Sequence, residues 1–257
     1  MKNERIIGLS TGSLYNWDPE VLSKGYNGIS ILLNSKKANG IEILFYYPET
    51  LLNSKMPGNV NKLLSKFKYI SIHAPWCGIK YDNSSKSEKV LDKLREHAKK
   101  IHANGVVFHL PNITDMSILN QSDLPVLIEN TRKNERGYFI EGLSEVLKYD
   151  NLDYALDIAH LFQINLSYDN IKKITNLMRN RLKEIHLSGI DSSRGKIQKP
   201  LCKTSKKYRE KIIDVLLKQP IVPIIIESKF PAFDTSYFDQ EIDFIISVLN
   251  NYNGRST

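Results

Sequence analysis

A chain of 257 residues with 41% hydrophobic content can close one sizeable core, and residues 1–257 read as a single domain with a frayed tail from about Asn250 to Thr257. No run approaches the ~18 to 20 apolar residues of a membrane span, and the start MKNERIIGLS lacks an apolar signal core, so a cytoplasmic protein with no membrane partner is expected. Cys77 and Cys202 lie too far apart in sequence to form a disulfide framework, while the net charge of +8 attracts polyanions such as nucleic acid or phosphorylated metabolites.

Short runs rich in Ile, Val and Leu recur along the chain, separated by longer polar segments of helical spacing, a sign of βα units around a parallel sheet. The strands are expected at Ile6–Leu9, Gly40–Phe45, Tyr69–His73, Gly105–His109, Pro125–Glu129, Tyr154–Asp157, Lys183–His186 and Val222–Glu227. Helices are expected at Ser87–Ala103, closed by Asn104-Gly105, and at Tyr138–Leu147, Tyr168–Met178, Ser205–Leu217 and Phe238–Leu249. The stretch Pro111–Leu124 has room for only a partial helix, and a lysine-rich loop follows the seventh strand. Eight such units predict an α/β fold, the (β/α)8 TIM barrel.

What ends each strand carries the chemistry. His73 closes the third strand, His109 the fourth, Glu129 the fifth, Asp157 the sixth, His186 the seventh and Glu227 the eighth. In a parallel barrel these ends meet on one face, so residues far apart in sequence become neighbours. Imidazoles and carboxylates gathered in one bowl suit divalent zinc, manganese or iron, because clustered carboxylates repel unless a cation neutralises them. His160, three residues after Asp157, reaches the same bowl from the following turn. A buried polar network without metal is the competing explanation. His97 and His102 fall on the helix after the third strand and are expected at the surface.

The phrases IHAPW, FHLP, IENT, LDIAH, IHLSGI and IIES, in this order, resemble the xylose isomerase-like barrels and among them the endonuclease IV-like proteins. The resemblance implies one metal on His73, His109 and Glu129, and a second sharing Glu129 with Asp157, His186 and Glu227. It implies a third on His160 and an Asp-x-His pair. Lys196 and Gln198 stand where that pair belongs, so about two ions are expected. The glycine-rich turn expected after IENT is replaced by Arg132-Lys133-Asn134-Glu135-Arg136. The implied activity is a metal-dependent phosphodiesterase acting on DNA with abasic sites. Glu129 and Glu227 are the catalytic carboxylates, Trp76 or Tyr81 touches a sugar or base, and Lys196 and Lys199 contact phosphate.

Sugar isomerases and epimerases of the same resemblance need one metal, on a Glu, Asp, His, Glu set that Glu129, Asp157, His186 and Glu227 match. In those enzymes the two Glu residues move the proton at the sugar carbon, and the substrate is a small sugar or sugar phosphate. His73 and His109 separate the two readings, since only the two-metal hydrolase requires them. A barrel that binds a ligand without turnover is the third possibility.

Overall fold

The computed structural model describes residues 5–14, 26–131, 139–163, 166–191, 196–230 and 234–253. The expected tail therefore lies partly outside the described residues, as do Arg132 to Arg136. In chain order the strands are β1 (Ile7–Ser10), β2 (Gly40–Leu44), β3 (Tyr69–His73), β4 (Gly105–His109), β5 (Val126–Glu129), β6 (Leu152–Asp157), β7 (Leu182–Leu187), β8 (Gly189–Asp191), β9 (Lys196–Lys199) and β10 (Ile224–Ile226). All but β8 and β9 pair in parallel around a closed barrel in the order β1, β10, β7, β6, β5, β4, β3, β2. The architecture is a (β/α)8 barrel.

The helices are α1 (Asn27–Leu32), α2 (Pro48–Leu52), α3 (Val60–Leu64), α4 (Ser85–Ile101), α5 (Met116–Asn120), α6 (Phe139–Val146), α7 (Ile158–Gln163), α8 (Tyr168–Met178), α9 (Lys206–Leu217) and α10 (Ser236–Asn253). No helix among the described residues is long and apolar enough to cross a membrane.

Parallel strands buried on both faces read as continuous apolar runs, which is why their positions are plain in the sequence. Successive side chains alternate between the helix layer and the lumen. Ile41, Ile43, Ile72, Val106, Phe108, Ile128, Tyr154 and Ile185 point outward into the main core. Val107, Leu127 and Ala155 form a separate small cluster within the lumen. At Gly8 a side chain is impossible, since a Cβ there would stand 2.6 Å from the Gly40 carbonyl carbon. Above this floor the inward positions become polar.

Several boundaries differ from the sequence expectation. The eighth barrel strand, β10, is shorter than Val222–Glu227 because Pro223 has no amide to donate, and Glu227 follows the strand rather than ending it. Helix α4 starts at Ser85 because the Ser84 hydroxyl accepts a hydrogen bond from the Ser87 amide at 3.3 Å. It ends at His102, left-handed at φ 52°, instead of at Asn104-Gly105. The C-terminal helix continues to Asn253, past the point where fraying was expected. The lysine-rich loop after β7 is an antiparallel hairpin, with Ile190 paired to Ile197.

His97 is also corrected. It is buried on the inner face of α4, where its Nδ1 and the Tyr26 hydroxyl share a hydrogen bond of 2.8 Å and its ring lies 5.8 Å from Phe45. Burial, with help from Lys93, pulls its pKa down to about 4, so it is neutral core. His102 is exposed, as expected.

Candidate metal centre

Strand register assembles the bowl. His109 stands directly beside Glu129 across β4 and β5, and Asp157 beside His186 across β6 and β7. Glu129 is level with Ala155, so Asp157 projects one step higher along its strand. The two side chains of Asn130 and Asp157 do not meet directly; instead the Asn130 amide donates to the Asp157 carbonyl at 2.7 Å, and Asn130 Oδ1 accepts from the Asp157 amide at 2.8 Å. This clamp fixes the exit of β6. Helix α7 then turns His160 inward, its amide donating to Asp157 Oδ1 at 2.9 Å and its Nε2 lying 3.2 Å from Asp157 Oδ2.

Glu129 is the hub. Its Oε2 lies 3.1 Å from His73 Nε2 and 3.1 Å from His109 Nε2. Its Oε1 faces the other way, 3.6 Å from His186 Nδ1 and 3.9 Å from His160 Nε2. His186 Nδ1 also lies 3.4 Å from Glu227 Oε1. The ligand-type atoms fall into overlapping groups: His73, His109 and Glu129; Glu129, Asp157 and His160; and Glu42, His73, His186 and Glu227.

Glu42 and Glu184 belong to this cluster although the strand-end argument passed them over. Glu42 Oε1 accepts from the Ser10 hydroxyl at 2.7 Å, and its Oε2 lies 3.3 Å from His186 Nε2. Glu184 Oε1 lies 2.6 Å from that same nitrogen. Both are fully buried. The signal was available: a carboxylate in the middle of an apolar strand, as in GIEIL and LKEIHL, faces the lumen if its neighbours face the core.

The electrostatics follow from this crowding. Burial alone would lower the His73 pKa, but Glu42, Glu129 and Glu227 hold it up at about 9. His109 touches the same Glu129 oxygen, yet burial together with His73 and His160 takes it down to about 4. Glu129 is held well below the usual carboxylate range, His109 and His186 outweighing burial. Glu227 is pushed well above that range by burial and by Glu42, Glu129 and Asp157. Asp157 is raised too, by burial and by Glu129.

These residues fit divalent cations. His186 Nδ1, Asp157 Oδ2 and Glu42 Oε2 are each buried with no hydrogen-bond partner among the described residues, a costly state that cations held within these overlapping groups would relieve. The mix of imidazole nitrogen and carboxylate oxygen suits zinc, manganese or iron. Outer-shell order is present as well, since His73 Nδ1 lies 3.1 Å from the Ala74 carbonyl and donates to it when Nε2 serves as a ligand.

Trp76 stands at the rim, its ring 4.7 Å from His73, 4.8 Å from His109 and 4.6 Å from Tyr46. It is partly exposed. Tyr81 is not a rim residue: it is 1% exposed, its hydroxyl donates to the Pro75 carbonyl at 2.8 Å, and its ring packs on Phe108. The expectation that it touches a sugar or base is therefore overturned by burial. Lys199 ends β9 half-buried, its carbonyl accepting from the Ser228 hydroxyl at 3.2 Å, next to Glu227. Lys196 opens β9, and its side chain lies outside the described residues. Gln198 has a positive φ of 74°, and its carbonyl accepts from the Lys229 amide at 2.6 Å.

Solved structures share this barrel along nearly its whole length. A D-tagatose 3-epimerase-like protein is 14% identical, covers 98% of this chain and 100% of its own, and superposes with a TM-score of 0.68. Endonuclease IV from Thermus thermophilus is 16% identical over 96% of this chain and 100% of its own, with a TM-score of 0.63. A xylose isomerase-like TIM barrel protein from Mycobacterium smegmatis, solved in complex with magnesium, is 12% identical over 96% and 97%, with a TM-score of 0.59. No family model and no curated protein matches the chain. The fold is thus that of the xylose isomerase-like barrels, whose solved members include both sugar epimerases and endonuclease IV.

Proposed function

We propose that this chain is a metal-dependent phosphodiesterase of the endonuclease IV kind, cytoplasmic, acting on DNA with abasic sites and holding about two ions, zinc foremost with manganese or iron as alternatives. The observation that carries the reading is the placement of Glu129, whose two oxygens face different histidine groups at 3.1 Å and 3.6 Å. A carboxylate so placed is shared between two centres, and a one-metal enzyme has no use for the first group. His73, His109 and Glu129 would hold one ion; Glu129, Asp157, His186 and Glu227 the other, with His160 beside them. Two divalent ions supply charge neutralisation on a phosphodiester and lower the pKa of an attacking water.

The chain's own residues do the rest. Glu129 keeps the two centres at a fixed separation. Glu227, the carboxyl that burial pushes up in the ion-free protein, would give up its proton to become an ionised ligand of the second ion. Trp76 offers an apolar face to a sugar or base, and Lys199 and Lys196 bring positive charge towards phosphate. The gap left by Lys196 and Gln198 means that His160 acts without the Asp-x-His partners.

A second reading, a one-metal sugar isomerase or epimerase acting on a small sugar or sugar phosphate, has its own support. Glu129 and Glu227 flank His186 at 3.6 Å and 3.4 Å, which brings two carboxylates to one centre for proton movement at carbon. Cleavage of an abasic-site oligonucleotide, with and without a chelator, decides between them. Chelator-sensitive cleavage with about two ions by elemental analysis supports the nuclease. One ion, no cleavage and conversion of a ketose would replace it with the isomerase.

A further inference from the structure

Glu184 has no part in either reading, yet it is fully buried in the lumen beneath the bowl. It precedes His186 by two residues on β7, so both side chains share the inward face. Its Oε1 lies 2.6 Å from His186 Nε2, and Glu42 Oε2 approaches the same nitrogen at 3.3 Å. The opposite nitrogen, Nδ1, points at Glu227 Oε1 and Glu129 Oε1, 3.4 Å and 3.6 Å away. His186 thus lies between two pairs of acceptors.

A neutral imidazole has a single N–H to give. Were it on Nδ1, a bare Nε2 lone pair would face two carboxylates in an enclosed, low-dielectric lumen, an arrangement that repels from both sides. With the proton on Nε2, Glu184 receives a charge-assisted hydrogen bond, and the Nδ1 lone pair is directed at the focus of Glu129 and Glu227.

We propose that Glu184, supported by Glu42, is a positioning residue that locks His186 in its Nε2–H form and makes Nδ1 the metal-binding atom of the β7–β10 side. The inference rests on the metal reading of the bowl and adds a carboxylate–histidine–metal relay to it. Such outer partners typically strengthen metal binding ~10- to 100-fold, by fixing the ring and raising its basicity.

The test loads protein carrying 15N-labelled histidine with cadmium-113 and reads the nitrogen spectrum. The expected result is a one-bond cadmium coupling at His186 Nδ1, with Nε2 carrying the proton; a coupling at Nε2 overturns the inference. Zinc affinity by chelator competition is read in parallel. Glu184→Met is expected to weaken one of the two ions about 10- to 100-fold. Glu184→Gln, which keeps an acceptor oxygen, restores most of that loss. Equal zinc affinity in wild type and Glu184→Met sinks the relay and leaves the metal reading standing. A wild-type chain that takes up neither zinc nor cadmium sinks both. If Glu184→Met fails to fold, the wild-type cadmium spectrum decides alone.

Discussion

The two sides of the barrel mouth use the same residue types under opposite conditions. On the β3–β4 side, His73 and His109 converge on a single Glu129 oxygen at 3.1 Å each and pack against the ring of Trp76, which in turn packs on Tyr46. On the β7–β10 side, one imidazole, His186, is set among Glu42, Glu129, Glu184 and Glu227. The contrast between His73 and His109 shows what matters. Both make the same contact with Glu129, but His73 also feels Glu42 and Glu227 and stands at about 9, whereas His109 feels neighbouring imidazoles and stands at about 4. Proton affinity in this bowl is set by the second neighbour, not the nearest one. The acid-rich side therefore offers a cation more charge, while on the histidine-rich side His73, and not His109, makes it compete with a proton.

The largest change should come from removing the residue that both sides share. Glu129→Ala is expected to take the ion content from about two to none and to lower activity by more than the ~100-fold that loss of an outer partner costs. Elemental analysis and the abasic-site assay measure this, and full ion content in the variant would contradict the shared-carboxylate reading.

Separating the sides is the next step. His109→Asn should remove one ion from the β3–β4 side, and Glu227→Gln one from the other. A phosphodiesterase loses cleavage in both variants. If turnover of a ketose survives His109→Asn intact, the one-metal alternative gains and the two-ion reading fails.

Acidity sharpens the contrast further. The His73 pKa is raised from 6.5 to about 9 in the ion-free protein, so a cation must displace its proton below that value. Zinc affinity at the β3–β4 side should climb about tenfold per pH unit as pH rises towards 9 and level off above it. The sign for stability is opposite. A raised folded-state pKa gives stability that is complete below 6.5 and lost as pH rises through about 9. Without zinc, this group should lower the melting temperature across that window, and scanning calorimetry at several pH values would detect its absence.

The smallest expected effect lies outside the bowl and serves as its control. His97 is depressed from 6.5 to about 4, so its contribution is present above 6.5 and lost as pH falls towards 4. His97→Phe should flatten the melting temperature over that range by a few degrees while leaving ion content unchanged. A variant as acid-sensitive as wild type would place the titration elsewhere.

The barrel was legible because parallel strands shielded on both faces leave uninterrupted apolar runs, and each run ended in a residue that would be out of place in a core. That rule gathered His73, His109, Glu129, Asp157, His186 and Glu227 at one mouth, with His160 one turn beyond. It could not find Glu42 or Glu184, because it inspected where strands stop and not what they carry midway. In an open sheet a charge at such a position faces a helix layer or solvent; only closure turns it into a lumen residue, and closure is a property of all the strands together. His97 was misread for a simpler reason. It lies on the stripe of Val90, Leu94 and Ile101 that buries α4, and its type was weighed above its spacing. The hairpin after β7 was hidden because its strands are only three and four residues long, too short for any periodicity to register.

That hairpin sets a constraint on engineering. Gln198 takes a left-handed backbone, and its carbonyl holds the Lys229 amide, two residues past Glu227. Grafting an Asp-x-His pair at 196 and 198 to build a third centre would place the new histidine at that left-handed position, where Gln198 already carries the roughly 1 kcal/mol or more that the conformation costs an L-residue. Any shift of the grafted backbone would be passed through the Lys229 amide to the exit of β10, so a transplant made to add one ion could dislodge the carboxylate that secures another.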